Sequence, residues 1–255
     1  MITPKKSLGQ HFLHDKNIAR KIVDECLKLN PSNILEIGPG KGTLTQFLLD
    51  KPGINLWVNE IDTQCTQYLK NTFKKVQNRI ITNDFLKLDL NSLFKNQFSI
   101  IGNLPYNISS QIFFKILEFR NKIENVVCMV QKEVADRIIS KEGNKIYGIL
   151  SVLLQAFYQV EFLFQVNPSV FIPQPKVNSA VISLRRNDIK KLDCDESLFF
   201  KIVKMGFNQR RKTLKNSLRP LLPEQSSHEL LQKRPEQLNV KDFINLTNLV
   251  NELIK

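Results

Sequence analysis

Residues 34–42 read I-L-E-I-G-P-G-K-G, and this stretch decides the fold, because an apolar run leads directly into closely spaced glycines. Glycine adopts backbone conformations that other residues avoid, and it lets a ligand approach the main chain closely. Apolar residues at helical spacing follow, at Leu44, Phe47 and Leu48. The stretch therefore predicts a strand, a tight glycine turn and a helix.

Strand and helix patterns alternate on both sides of this unit. Asp15 is placed to cap a helix that runs to about Leu29. Further strands are predicted at residues 55–59, 79–82, 98–101 and 126–130, with helices at 63–73 and 109–119. Such alternation predicts an α/β fold with a doubly wound, mostly parallel sheet.

The pattern changes in the second half of the chain. Residues 147–158 are predicted as a buried helix, and residues 159–166 and 179–184 as two late strands that pair as an antiparallel hairpin at a sheet edge. Their connection, residues 167–178, holds three prolines and is therefore predicted to be irregular.

A shift in composition after Arg186 indicates a domain boundary. Residues 187–196 are polar and charged, and apolar residues then recur at helical spacing. We predict a first domain at residues 1–186 and a small all-helical C-terminal domain at residues 187–255, with helices at 198–207, 211–221, 227–232 and 240–254.

The charge of the chain favours a polyanionic partner. A formal net charge of +13 over 255 residues most often indicates nucleic acid, although a generally basic proteome is an alternative. The four cysteines are far apart and the three histidines lack metal-ligand spacing, so no metal is expected and a reducing cytosol fits best. With no signal peptide and no apolar run of about 20 residues, we expect a cytoplasmic protein without a membrane partner.

Three nucleotide-binding motifs compete for the glycine turn. A P-loop would have Ser or Thr after Lys41, where this chain has Gly42. A dinucleotide motif, G-x-G-x-x-G, would have its third glycine one position later. The form present, E-x-G-x-G-x-G, resembles the first motif of class I S-adenosylmethionine-dependent methyltransferases. A purely structural turn is the alternative.

Carboxylates follow the next two predicted strands. The second strand ends in Glu60-Ile61, where Glu60 is placed to accept hydrogen bonds from both hydroxyls of a ribose. The third ends in Asp84-Phe85, where the acid can accept from an adenine amine and the ring can pack on the base. Each acid alone is more often a surface group or a helix cap. Together with the glycines, and without a basic pyrophosphate clamp, they favour S-adenosylmethionine over NAD.

The fourth strand leads into Asn103-Leu104-Pro105-Tyr106, which resembles the N/D-P-P-Y/F motif of amine methyltransferases. An adenine amine is a poor nucleophile because its lone pair is delocalised into the ring. The Asn103 side-chain oxygen and a carbonyl near Leu104 or Pro105 can accept its two N–H bonds and turn the lone pair toward a methyl donor. Tyr106 offers a face for stacking, and no general base is required. An ordinary proline turn is the alternative.

Phe171 is a candidate for the opposite wall of the base site. A base that reaches the Asn103 loop must leave its stack, and extruded bases are commonly held between aromatic or apolar groups. The prolines around Phe171 favour a rigid loop, whereas a core phenylalanine is the alternative.

Several segments together resemble the bacterial small-subunit ribosomal RNA adenine dimethyltransferase family, namely 6–13, 36–42, 60–62, 103–106, 131–134, 171–181 and 208–214. The resemblance runs from Lys6 to near Leu249. It implies a Rossmann-like class I methyltransferase sheet. It also implies S-adenosylmethionine-dependent dimethylation of two adjacent adenosines in the 3′-terminal hairpin loop of 16S rRNA, with binding to a nearly assembled small subunit.

The resemblance also implies site residues. Phe171 would flank the target adenine. Position 11 is often asparagine in the family, and the histidine present here can also donate and accept hydrogen bonds. With the residues singled out from the motifs, the predicted cofactor site comprises His11, Leu13, Gly38, Gly40, Glu60, Ile61, Asp84, Phe85 and Asn103.

A basic segment in the C-terminal domain is the predicted RNA-binding surface. No acidic residue occurs between Ser197 and Pro223, and the segment includes Arg210, Arg211, Lys212 and Lys215. Such residues contact phosphates and do not specify a sequence, and a merely solvated basic face is the alternative.

Two other functions stay open. A 23S rRNA adenine methyltransferase of the antibiotic-resistance type shares the fold and N-L-P-Y, and an assembly or transcription factor could keep the fold without obligatory catalysis. The intact Glu60, Asp84 and N-L-P-Y argue against complete loss of activity. A monomer is the default expectation.

Overall fold

A central sheet of mostly parallel strands organises the first part of the protein, which a computed structural model describes over residues 2–254. The strands are β1 (Phe12–Leu13), β2 (Asn33–Ile37), β3 (Asn55–Asn59), β4 (Ile80–Ile81), β5 (Phe98–Asn103), β6 (Ile123–Gln131), β7 (Tyr158–Val166), β8 (Phe171–Ile172) and β9 (Ser179–Arg186). The helices are α1 (Lys16–Leu27), α2 (Thr45–Leu49), α3 (Thr63–Thr72), α4 (Leu90–Leu93), α5 (Ser109–Glu118), α6 (Lys132–Ile139), α7 (Ile149–Phe157), α8 (Glu196–Asn208), α9 (Leu214–Ser217), α10 (Glu229–Gln232) and α11 (Val240–Leu253).

The main sheet has the strand order β4-β3-β2-β5-β6-β9-β7. Neighbours from β4 to β6 run parallel, and β9 pairs antiparallel with β6. The predicted α/β fold with a mostly parallel sheet is confirmed, and the two late strands lie together at one edge. Separately, β1 pairs antiparallel with β8, so that Leu13 lies opposite Phe171.

Burial explains why the central strands read as continuous apolar runs. Residues of β2, β5 and β6 such as Ile34, Ile100 and Val126 are fully buried, as expected where helices cover both faces of a parallel sheet. Helix α1 begins as predicted at Asp15, whose carboxylate accepts from two main-chain N–H groups, but it ends at Leu27 rather than Leu29.

The chain divides into two compact units that differ from the predicted domains. The first comprises residues up to Ala135 together with Gln159–Arg186, and the second comprises Asp136–Tyr158 together with the residues from Asn187 onward. The prediction had assigned residues 136–158 to the first domain. They belong to the second because α7 packs there, with Phe157 stacked on Phe200 at a centroid distance of 6.2 Å.

The predicted helix over residues 211–221 is wrong. The chain forms only the four residues of α9 and a 3₁₀ turn at Arg219–Leu221. The N–H of Leu214 donates to the carbonyl of Lys233 at 2.8 Å instead of starting a longer helix, and Pro220 cannot donate the N–H that would continue one. Among the described residues, none of the helices has both the length and the apolar character needed to cross a membrane.

Candidate functional site

A cavity of about 280 Å³ lies at the ends of the parallel strands of the first unit. We call it the strand-end cavity. Its walls are the N-terminal stretch from Ser7 to Leu13, the glycine turn, Glu60-Ile61, residues 83–86 and residues 103–108. Every predicted cofactor residue lines it: His11, Leu13, Gly38, Gly40, Glu60, Ile61, Asp84, Phe85 and Asn103. The fold therefore brings together side chains that lie far apart in the sequence.

The glycine turn has a conformation and an environment that exclude side chains. Gly40 has a φ of 55°, and a Cβ added there would lie 2.8 Å from the ring of Phe12. Gly38 has a φ of 65° and donates its N–H to the Asn59 carbonyl at 2.9 Å. Without side chains at Gly38 and Gly40, the main chain of the turn stays accessible from the strand-end cavity.

Glu60 both shapes the turn and lines the cavity. One carboxylate oxygen accepts the N–H of Gly40 at 3.0 Å, and the other accepts the N–H of Asp62 at 2.9 Å. Burial raises the pKa of Glu60, while these two hydrogen bonds act in the opposite direction. Each carboxylate oxygen keeps further lone-pair capacity, so Glu60 can also accept from a diol.

Glu36 lines the cavity as well, and sequence reasoning assigned it no site role. Its side chain is 1% exposed and accepts a hydrogen bond from the Thr45 hydroxyl at 2.7 Å. Burial, with a smaller contribution from the charge of Glu60, raises the pKa of Glu36 to about 8. The available signal was a carboxylate inside an otherwise apolar strand.

Asp62 fastens the N-terminal segment, which we define as residues 5–13, along one side of the cavity. Its carboxylate accepts from Lys5 Nζ at 2.7 Å and from Gln10 Nε2 at 3.1 Å. Burial acts to raise the pKa of Asp62, but the hydrogen bonds from Lys5, Gln10 and the Gln64 N–H outweigh it and lower the pKa. Sequence reasoning placed Lys5 as a possible addition to the RNA-binding surface and did not predict these contacts, because nothing local connects residues so far apart.

Asn103 presents an unpaired acceptor to the cavity. Its Nδ2 donates to the His11 carbonyl at 2.8 Å, and since a carbonyl can only accept, this contact sets the orientation of the amide. The Oδ1 atom is buried and receives no hydrogen bond from the part of the chain that the structure describes. A buried acceptor without a donor is unfavourable, and it is the arrangement expected where a ligand supplies the donor.

The rest of the Asn103–Tyr106 loop is held by the main chain. Leu104 is 1% exposed and donates its N–H to the Met129 carbonyl at 3.0 Å. The Pro105 carbonyl accepts from the Ile108 N–H at 3.2 Å. Of the two carbonyls predicted to meet an amine, that of Pro105 is therefore already engaged within the turn.

Tyr106 is held at its hydroxyl and at its ring. The hydroxyl hydrogen-bonds to Ser179 Oγ, and the ring stacks on His11 with centroids 5.3 Å apart. Burial raises the pKa of Tyr106, and the hydrogen bond with Ser179 opposes that shift. His11 Nδ1 lies 2.7 Å from the Pro173 carbonyl, so Nδ1 carries the proton and donates it there.

Phe171 does not form the predicted opposite wall in this structure. Its side chain is 2% exposed and packs in the core cluster that includes Leu13, and Phe171 is not part of the cavity lining. Because side chains alternate along a strand, the outward position of β8 belongs to Ile172, which is 57% exposed.

The predicted RNA-binding residues differ in their availability. Arg211 and Lys212 are exposed and Lys215 is half-buried. Arg210 is engaged within the second unit, where it donates to the Asn144 carbonyl at 3.2 Å and lies 3.8 Å from the Glu236 carboxylate. The first two residues are thus freer to meet phosphates than Arg210.

Comparisons with known proteins identify the family of the chain. The family model for ribosomal RNA adenine dimethylase matches residues 1–254. Ribosomal RNA small subunit methyltransferase A of Parabacteroides distasonis is 54% identical, with 97% of this chain and 94% of that protein covered. The protein of the same name from Flavobacterium johnsoniae is 52% identical, with 98% and 96% covered.

Solved structures show the same fold. A dimethyladenosine transferase from Plasmodium falciparum matches with a TM-score of 0.77 and 23% identity, covering 95% of this chain and 98% of that one. The 23S rRNA methyltransferase ErmE matches with a TM-score of 0.68 and 25% identity, covering 93% and 99%. The family model spans nearly the whole chain, and the proteins from Parabacteroides distasonis and Flavobacterium johnsoniae share more than half of its residues, so the chain belongs to the ribosomal RNA adenine dimethylase family.

Proposed function

We propose that this protein transfers methyl groups from S-adenosylmethionine to N6 of two adjacent adenosines in the 3′-terminal hairpin loop of 16S rRNA, during maturation of the small subunit. The observation that carries the proposal is the buried, unpaired Oδ1 of Asn103 in a cavity whose other residues suit an adenosine. Relatives named ribosomal RNA small subunit methyltransferase A support the choice of substrate.

The cavity residues fit S-adenosylmethionine. Glu60 would accept from the ribose hydroxyls, Asp84 from the adenine amine, and Phe85 would pack on the adenine ring, while the glycine turn admits close approach of the ligand. The cofactor supplies an activated methyl group: the bond from the adenine nitrogen to the methyl carbon forms as the carbon–sulfur bond breaks, with its electron pair remaining on sulfur. The proposed site uses no metal.

The loop would act by orienting the target amine. Asn103 Oδ1 would accept one N–H, and the carbonyl of Leu104 the other, since that of Pro105 already accepts from Ile108 and keeps only one lone pair. The lone pair of the amine then points away from both acceptors. Positioning of this kind contributes several kcal/mol to a transfer reaction. The proton that the product amine sheds passes to water, so no side chain has to serve as a base.

Binding of RNA would fall to the second unit. Arg211 and Lys212 present exposed cations that can contact phosphates without specifying sequence, with Lys215 beside them. We therefore propose a catalytic role for residues 1–186 and an RNA-binding role for residues 187–255. The refinement from the structure is that residues 136–158 accompany the second part. The proposed working form is a cytoplasmic monomer.

Labelled S-adenosylmethionine and undermethylated small ribosomal subunits provide the test. We expect label in N6,N6-dimethyladenosine at two adjacent positions of 16S rRNA. Label confined to large-subunit RNA would instead select a 23S rRNA methyltransferase, the activity named for ErmE. Tight binding of subunits without any label would select an assembly factor.

A further inference from the structure

Lys115 is a buried lysine that has no role in the site described above. It lies on α5 and is buried, with 7% of the residue exposed. Nζ donates to the carbonyls of Leu86 and Leu88, at 2.9 Å and 2.5 Å. The ring centroids of Phe85 and Phe119 lie 5.8 Å and 5.2 Å from Nζ.

Because of these contacts, the buried charge of Lys115 is stabilised only while the carbonyls of Leu86 and Leu88 stay in place. A buried ammonium is strongly unfavourable unless hydrogen bonds and nearby negative charge density compensate it. Here the compensation comes from two carbonyl oxygens and two aromatic faces. The turn that carries these carbonyls cannot move away without leaving the charge of Lys115 unpaired.

The turn held in this way forms part of the strand-end cavity. We define the 84–88 turn as Asp84–Leu88; it contains the 3₁₀ helix Phe85–Lys87, capped by the Asp84 carboxylate. Asp84, Phe85 and Leu86 all line the cavity. Helix α5, which carries Lys115, begins at Ser109, directly after the cavity-lining stretch that contains the Asn103–Tyr106 loop.

We propose that Lys115 is a positioning residue for the adenine end of the cofactor: it fixes the 84–88 turn so that Asp84 and Phe85 meet the base. The inference rests on the proposed function, because it assumes that adenosine occupies this side of the cavity. Lys115 touches neither the methyl group nor the RNA in this scheme. Its loss should therefore weaken cofactor binding and leave the transfer step nearly unchanged.

Lys122 offers a matched control on the same unit. Its Nζ donates to the carbonyls of Asn91 and Phe94, at 3.2 Å and 2.6 Å, at the end of α4. This is the same chemistry as that of Lys115, one lysine bonded to two main-chain carbonyls. The cavity lining that the structure describes includes no residue from Asn91 to Phe94.

Calorimetry on the full chain with two ligands tests the proposal. S-adenosylhomocysteine carries both adenosine and the amino-acid part, whereas 5′-methylthioadenosine carries adenosine alone. Lys115→Met should weaken both ligands by the same factor, about 10- to 100-fold, the range for losing a hydrogen bond to a charged group. Lys122→Met should leave both affinities within about twofold of the wild type.

Amide hydrogen exchange gives a second readout that does not need a ligand. The N–H groups of Leu86, Lys87 and Leu88 donate within the 84–88 turn, and that of Phe94 donates to the Leu90 carbonyl. In Lys115→Met the three amides of the turn should exchange faster while that of Phe94 keeps its protection. In Lys122→Met the pattern should be reversed.

Lys115→Gln keeps N–H donors without the charge. It should recover part of the affinity, and it serves if the methionine variant does not fold. Unchanged binding of both ligands in a Lys115 variant, a loss for S-adenosylhomocysteine alone, or an equal loss in Lys122→Met would each overturn the role of Lys115. A wild-type protein that binds neither ligand would instead overturn the proposed function, and the role of Lys115 with it.

Discussion

Replacing Asn103 with alanine should separate catalysis from stability. The substitution removes the unpaired Oδ1 acceptor and the hydrogen bond from Nδ2 to the His11 carbonyl. Removing a preorganised polar group that acts on the transition state lowers kcat by about 100- to 1000-fold, or roughly 3–4 kcal/mol. We expect a fall of this size in methyl transfer, because Oδ1 would act on an amine that gains positive charge as it reacts.

The free energy of unfolding should change far less. Loss of the 2.8 Å hydrogen bond to His11 destabilises the folded state by about 1 kcal/mol. Removal of a buried acceptor that has no donor relieves roughly 1–3 kcal/mol of desolvation. The two effects oppose each other, so the net change should lie between zero and about 2 kcal/mol of stabilisation. A residue whose removal does not destabilise the protein is one kept for activity rather than for stability.

Single-turnover assays measure the rate of methyl transfer, and urea denaturation measures the free energy of unfolding. A binding assay checks that the affinity for RNA is kept. Asn55→Ala is the control, since Asn55 is an exposed asparagine at the opposite end of the sheet. Asn103→Asp keeps an acceptor but loses the donor to His11, so its activity should fall between those of the wild type and the alanine variant. A loss below about tenfold in Asn103→Ala, or one matched by loss of folding, would refute the role of Oδ1.

Three further predictions concern other parts of the molecule. Burial raises the pKa of Glu36 from 4.5 to about 8, so the folded state holds a proton that the unfolded chain releases, and the contribution of Glu36 to stability is greatest below pH 4.5 and declines as pH rises toward 8. Between pH 6 and pH 8, urea titrations should show a decline of at most about 1.4 kcal/mol per pH unit from this group, and Glu36→Gln should flatten it. Ser179→Ala removes the partner of the Tyr106 hydroxyl and should lower kcat with RNA several-fold while S-adenosylhomocysteine binds normally, and a double-mutant cycle with Tyr106→Phe that shows no coupling would contradict it. Charge reversal of Arg211 and Lys212 should weaken RNA binding and reduce the slope of log affinity against log salt by about 2, whereas an unaltered slope would place the RNA contacts elsewhere.

Local patterns predicted the sheet and most of the cavity. The apolar run at residues 34–37 became β2, and Glu60 and Asp84 came to one cavity because parallel strands end at the same edge of a sheet. What local patterns could not predict depends on pairing between distant segments. Phe171 is buried because β8 pairs with β1, and Lys115 is important only because α5 packs against the 84–88 turn.

The helical predictions show the same limit. Residues 211–221 carry leucines at helical spacing, but Pro220 and the hydrogen bond from Leu214 to Lys233 interrupt the helix. Residues 147–158 were correctly predicted to contain a helix, α7. Their assignment to the first domain followed the order of the sequence rather than the packing of Phe157 on Phe200.

The pairing of β1 with β8 has a consequence for synthesis of the chain. The N-terminal segment leaves the ribosome first, yet Leu13 is paired only when Phe171 has been translated. Asp62 can bind Lys5 and Gln10 much earlier, so one end of the segment is fixed long before the other. The N-terminal segment that lines the strand-end cavity is therefore held at both ends only after about two thirds of the chain exists.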